Sequence, residues 1–175
     1  GRVAHYVGVQ SDITELKETK DRLEVANHEL ERFRRDITQQ IEQVELMMAQ
    51  DVNAIVIAPA DSKALVAVCK KAMDEGITVV NIDNKLDADV LKDKGIAIPF
   101  VGPDNEKGAK LAGVYLSSRL NPGDKVAIIE GAPNAYNGIQ RKRGFEAAMI
   151  ASNMDIVDSQ TGYWEADKAQ PVASQ

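Results

Sequence analysis

Apolar residues fall in two rhythms along this chain, and the rhythm changes near residue 51. In the first stretch Leu16, Leu23, Leu30, Ile37 and Val44 stand seven residues apart, and no Pro or Gly interrupts residues 13–50. Five positions in register predict one long helix with a coiled-coil seam, through which residues 13–50 would form a homodimer. A weaker seam runs through Ala26, Phe33, Gln40 and Met47, while Lys20, Asn27 and Arg34 occupy the other flank. The alternative is a single amphipathic helix packed on its own domain. Ahead of it, Arg2 to Gln10 predicts a strand, with Tyr6, Val7 and Val9 supplying β propensity. Asp12, with Glu15 three residues on, is placed to cap the helix.

From residue 53 onward short apolar blocks alternate with helical spacing. Asn53 to Ala58, ended by Pro59, predicts a buried strand, as do Ile77 to Ile82 and Ile96 to Val101. Val126 to Ile129 and Met154 to Val157 predict two more. Ser62 is placed to cap a helix carrying Leu65, Val68, Cys69, Ala72 and Met73 as far as Gly76. After the second strand comes a polar excursion. Asp104 or Asn105 is placed to cap a helix through Leu116, and Ile139 to Ala151 and Glu165 onward predict two further helices. Strands separated by helices mean an α/β fold, a parallel sheet joined by right-handed crossovers and covered on both faces.

Charge and composition narrow the class. A net charge of −6 and two short basic clusters, Arg32-Phe33-Arg34-Arg35 and Arg141-Lys142-Arg143, argue against nucleic acid. No apolar run approaches a membrane span, so no membrane insertion is expected. Cys69 stands alone and implies no disulfide. The chain starts at Gly1 without a basic and apolar leader, which reads as an excised piece or a chimera.

Ligands of open parallel sheets sit beyond the carboxyl ends of the strands. The residues predicted there are Asp61, then Asp83 and Asn84, Asp104 and Asn105, Asn134, Tyr136 and Arg141, and finally Tyr163 and Trp164. No glycine-rich phosphate loop and no nucleophile–base pair stands among them, so neither a catalytic residue nor a cofactor is expected and the chain does not read as an enzyme. The two histidines, His5 and His28, lie upstream, so no metal site is expected either. Carboxylates, amides, one Arg and one Trp suit a neutral polyhydroxyl ligand, by charge-assisted bonds to hydroxyls and an indole against the ring. Each has a plainer reading: Asp83, Asp104 and Asn105 as turn or cap residues, Trp164 as a core anchor, Arg141 as a solvated helix residue.

Several segments together resemble ribose-type periplasmic binding proteins. Asp36-Ile37-Thr38-Gln39-Gln40-Ile41 and Val52-Asn53-Ala54-Ile55-Val56-Ile57-Ala58-Pro59-Ala60-Asp61 are similar to that family's second helix and third strand. Val79-Val80-Asn81-Ile82-Asp83-Asn84, Val101-Gly102-Pro103-Asp104-Asn105, Gly108-Ala109-Lys110-Leu111-Ala112-Gly113 and Arg141-Lys142-Arg143-Gly144-Phe145 extend the match in order, over residues 36–175. The resemblance implies an incomplete two-lobed sugar receptor, with residues 51–104 in one lobe and 105–175 in the other. It implies that Asp83 and Arg141 bind sugar hydroxyls, that Trp164 stacks on the ring, and that Asp104 and Asn105 lie at the hinge. Asn84 stands where ribose binders often carry an Arg, which leaves the sugar open among pentoses, hexoses and polyols. An ABC permease as partner and a periplasmic location follow from the same resemblance. So does the expectation that the family's opening strand–helix–strand and the end of its second lobe lie outside this chain.

Residues 1–15, Gly-Arg-Val-Ala-His-Tyr-Val-Gly-Val-Gln-Ser-Asp-Ile-Thr-Glu, resemble the last strand and exit of PAS or light-oxygen-voltage sensor domains. That resemblance divides the chain into a terminal strand (1–12), a linker helix (13–50) and the sugar-binding part. It implies a chimera, cytoplasmic if the sensor is the operative context. His28-Glu29-Leu30 superficially resembles a kinase phosphoacceptor, but no Arg-Thr-Pro follows, and His28 reads as a solvated helix residue.

Overall fold

The structure, a computed structural model, describes residues 2–174. The chain divides into two compact units, Gly1–Gln39 and Gln40–Gln175. Helix α1, Arg2–Ala49, makes up the first unit and continues into the second. The strand expected over residues 2–10 is therefore not formed: that segment is helical, and the cap expected at Asp12 lies inside the helix. Helix propagation adds one hydrogen bond per residue once a nucleus exists, while an isolated strand has no ladder partner, so local β propensity loses. The heptad seam is exposed at Leu16 (69%), Leu23 (58%) and Leu30 (55%). At Val44 it is buried.

In the second unit, α1 ends where Asp51 takes a left-handed φ of 55° and its N–H bonds back to Met48 O. Three parallel strands follow, β1 (Ala54–Ile57), β2 (Thr78–Ile82) and β3 (Phe100–Val101), in that order. Between them lie α2 (Val66–Asp74) and α3 (Ala88–Asp93). The third strand is two residues long, not six, because only Phe100 and Val101 find partners, in Asn81 and Ile82. Helix α3 occupies the polar excursion. Asp87 caps it by accepting from Asp89 N and Val90 N, a local signal the hydrophobic pattern did not carry. Ser62 does not cap α2, which starts after Leu65, and Asp61 turns the chain by accepting from Lys63 N and Ala64 N.

A second sheet pairs β4 (Lys125–Glu130) in parallel with β5 (Asp155–Thr161). The register shifts between Val126 and Ala127, so Val157 is the extra residue of a bulge on β5. Polar residues beyond it extend the strand to Thr161, past the apolar block that marks it in the sequence. Around this sheet lie α4 (Asn105–Ser117), α5 (Tyr136–Ala151) and α6 (Ala166–Ala173). Asp104 caps α4 by accepting from Lys107 N at 2.9 Å.

Burial on both sheet faces, expected from the apolar blocks, does not hold. Ile55, Ile57 and Val79 are buried with Leu65 and Val66, each side chain contributing about 1.5–3 kcal/mol, and with Ala72. On the opposite side Val56 and Val101 are 64% and 63% exposed, and Ile129 and Val157 are likewise bare on the second sheet. Around the second sheet glycines set how the helices pack. A Cβ at Gly144 would collide with the Glu106 carbonyl, and one at Gly113 would lie 2.6 Å from Ala148 Cβ. Helices α4 and α5 thus pack against each other at backbone distance, leaving Leu111, Val114 and Tyr115 in solvent.

Candidate functional site

A cleft of about 440 Å³ opens beside the carboxyl end of β4, between that strand, α4 and α5. Its polar lining comes from Asp104, Asn105, Glu130, Arg141 and Lys142, and Trp164 stands at its edge. Arg141 reaches it from the second turn of α5, where its Nε donates to Asn105 Oδ1 at 2.8 Å. Asn105 is 8% exposed and its Nδ2 donates to Pro103 O, so a buried amide anchors an exposed guanidinium. The fork of donors is thereby oriented before any ligand arrives.

Trp164 is held by backbone shape. Tyr163 and Trp164 both take left-handed conformations, φ 53° and 62°, which cost non-glycine residues free energy and persist only when neighbours impose them. Thr161 helps impose them: its Oγ1 accepts from Tyr163 N at 3.2 Å and donates to Gly131 O at 2.8 Å. Gly131 and Gly138 leave room for the indole, since a Cβ on Gly131 would overlap the ring and one on Gly138 would lie 3.3 Å from Cζ2. One side of the indole rests on glycine, and 55% of the residue stays exposed. That geometry makes a stacking platform.

Glu130 and Lys142, which the pattern of the sequence did not single out, pair on the cleft wall at 2.7 Å. Ser159 Oγ also donates to Glu130. Burial would raise the Glu130 carboxyl, but the bonds from Lys142 and Ser159 outweigh it and hold it below its ordinary value. The bond to Glu130 holds the Lys142 ammonium above its own.

The remaining expected residues gather at the ends of β1 and β2. Asn81, 1% exposed, donates through Nδ2 to Ile57 O, Ile82 O and Asn84 O and accepts from Leu86 N. This clamp shapes the loop that holds Asp83 exposed at φ 55°. Asn84 is buried: its Nδ2 donates to Pro59 O at 2.9 Å and its Oδ1 accepts from Ser62 Oγ and Asn137 N. Asn134 Nδ2 donates to Asp61 and Asn137 Nδ2 to Asp83, at 3.4 and 3.5 Å. Tyr136 N donates to Ser62 Oγ. The structure thus brings Asp104, Asn105, Arg141 and Trp164 to one cleft. Asp83, Asn84, Asn134 and Tyr136 meet at the start of α5 and do not line it. The cap reading holds for Asp104, and Trp164 is no core anchor.

Among the described residues no group of His, Cys, Asp and Glu could hold a metal ion, and no helix is long and apolar enough to cross a membrane. Cys69 is buried in α2, and burial pushes its thiol up to about 11, far from a reactive thiolate.

A family model described as "Periplasmic binding protein domain" matches residues 9–175. The match takes in the heptad helix as well as both sheets. The chain is 53% identical over 158 residues to the D-ribose/D-allose-binding protein of Pseudomonas aeruginosa, covering 90% of this chain and 49% of that protein. It is 37% identical to the D-allose-binding periplasmic protein of Escherichia coli, covering 79% of this chain and 46% of that one. Among solved structures, an ABC-transporter solute-binding protein from Burkholderia multivorans superposes with a TM-score of 0.77 at 56% identity, over 79% of this chain and 49% of that one. A periplasmic solute-binding protein from Actinobacillus succinogenes with bound D-allose gives 0.75 at 35% identity, over the same shares. The chain spans about half the length of the relatives it matches.

Proposed function

Because the chain belongs to the periplasmic binding protein domain family, we propose that it is part of a receptor for a small sugar. The sugar is of the ribose and allose type and passes to an ABC permease from the periplasm. The observation that carries this reading is the cleft in which an oriented Arg141 stands beside a glycine-backed, half-exposed Trp164. Arg141 donates to ring hydroxyls, and the indole covers the C–H side of the ring. Asp83, exposed at the end of β2, accepts from further hydroxyls, and Asn134 and Tyr136 stand near it at the start of α5. Asn84, whose side chain is spent on Pro59, Ser62 and Asn137, holds the loop that carries Asp83 and leaves ligand choice to its neighbours. Asp104 and Asn105 lie where the chain passes from the first sheet to the second, the hinge of this reading. Trp164 is the sole tryptophan, so its fluorescence reports this cleft alone. Titration with D-ribose and D-allose should change that emission, and Arg141→Ala should remove the change. An unchanged emission with both sugars, over a range where full-length relatives saturate, would overturn the reading.

A second reading rests on a different observation, the exposure of Leu16, Leu23 and Leu30 on a helix unbroken by Gly or Pro from residue 13. Three bare leucines on one heptad stripe favour self-association, each worth about 1.5–3 kcal/mol if fully buried. In this reading the helix joins two copies and the α/β part is carried with it, as in a sensor-linker fusion. Sedimentation should show a dimer that Leu23→Asp with Leu30→Asp converts to monomer.

A further inference from the structure

We infer that two copies of this chain pair as a parallel, in-register two-stranded coil confined to residues 13–35, which deepens the self-association reading by fixing its direction and its limits. The limit comes from burial. The heptad stripe continues in the sequence through Ile37 and Val44, but Ile37 is half-buried and Val44 is 3% exposed, so those positions are already covered within their own chain. Leu16, Leu23 and Leu30 are more than half exposed and are the ones left to pair.

The direction comes from charge. With the leucines at the first core position of each heptad, the second core position falls on Thr19, Ala26 and Phe33, and Lys20, Asn27 and Arg34 move to the flank. The opposite frame would bury Lys20, Asn27 and Arg34 between the strands, so the first frame is favoured. In it Glu15 occupies the flank preceding Leu16. In a parallel pair such a residue meets the partner's flank residue five positions further on. For Glu15 that residue is Lys20 of the second copy, an attractive contact made twice by symmetry. An antiparallel pair sets like flanks against each other, which parts Glu15 from Lys20 of the second copy and loses this contact. Glu15, Lys20 and Arg34 are exposed and available to a partner. Lys20 already lies 3.5 Å from Glu24 of its own helix, with both side chains more than 60% exposed, so this loose pair is no bar to bridging.

The test uses the whole 175-residue chain carrying Cys69→Ser, with Leu16→Cys or Leu30→Cys added singly. Under mild oxidation each variant alone should form a disulfide-linked dimer. Linkage only in a mixture of the two variants would show an antiparallel pair and overturn the inference while leaving self-association intact. Absence of a dimer in sedimentation of the wild-type chain at high micromolar concentration would sink both. Charge provides the second arm. Lys20→Glu should weaken dimerisation about tenfold, and adding Glu15→Lys should recover it. The double variant still lacks the Lys20–Glu24 pair, so recovery comes from between the chains, and a failure to recover overturns the proposed register.

Discussion

Gly131 shows how much of this site depends on a missing side chain. The indole of Trp164 occupies the space its Cβ would fill, and the two left-handed residues before α6 keep it there. Gly131→Ala should push the ring off its seat, shifting Trp164 emission and abolishing any sugar-dependent change. The cost to stability should stay near 1–3 kcal/mol, as for other overpacking changes, measurable by urea unfolding. Asn81 is the opposite case, a side chain whose loss is felt through its partners. Asn81→Ala leaves the Asn84 and Ile57 carbonyls and the Leu86 N–H unmatched in a buried loop and should cost about 2–4 kcal/mol. Glu130 links the cleft to pH. Its folded-state carboxyl lies below its ordinary value, so its contribution is present above the unfolded value and is lost as pH falls through the folded one. Glu130→Gln should therefore flatten the acid side of a stability-versus-pH curve and leave the neutral region with a constant deficit.

At the scale of elements, caps and close packing decide what the hydrophobic pattern leaves open. Asp104 and Asp87 each accept backbone N–H bonds at a helix start, and Asp104→Ala should cost about 1 kcal/mol, visible as a lower unfolding midpoint. Because α4 also presents Asn105 to Arg141, the same substitution should weaken any sugar response more than its stability cost explains. Helix α1 illustrates the limit of local propensity. Residues 2–10 carry β-favouring Tyr6, Val7 and Val9, yet no neighbouring strand offers them a ladder, and the helix that follows extends through them. The apolar stripe on α1 was legible from its spacing alone. That it changes from exposed at Leu30 to buried at Val44 was not, since spacing says nothing about what covers a face.

For the whole molecule, the exposed sheet face and the open cleft lead to one expectation. Val56, Val101, Ile129 and Val157 are bare, together with Leu111 and Tyr115 on α4, so this chain should bind a dye such as ANS while keeping its helical and strand content. Trp164 and Asp83 both face solvent, so water competes for every bond they offer a sugar, and calorimetry should find affinity weaker than micromolar. Tight binding would mean that the cleft closes far more than its present shape shows.

The sequence by itself determined the alternation of β1, α2 and β2, the parallel character of the sheets, the capped start of α4 and the family, because short apolar blocks and turn residues act over a few positions. It also supplied Arg141 and Trp164, which lie on one cleft. Only the tertiary structure decided that Asn84 is consumed by Ser62, Pro59 and Asn137, and that Asp61 turns the chain where Ser62 was expected to cap it. The same holds for Glu130 joining Lys142 across a wall built from two elements. The physical reason is range: a polar side chain announces its type in the sequence, but its partner is chosen by contacts between segments tens of residues apart. Burial follows the same rule, since Ile55 and Val56 are both strand residues in the sequence, and only the packing of helices on one side makes the first core and the second surface.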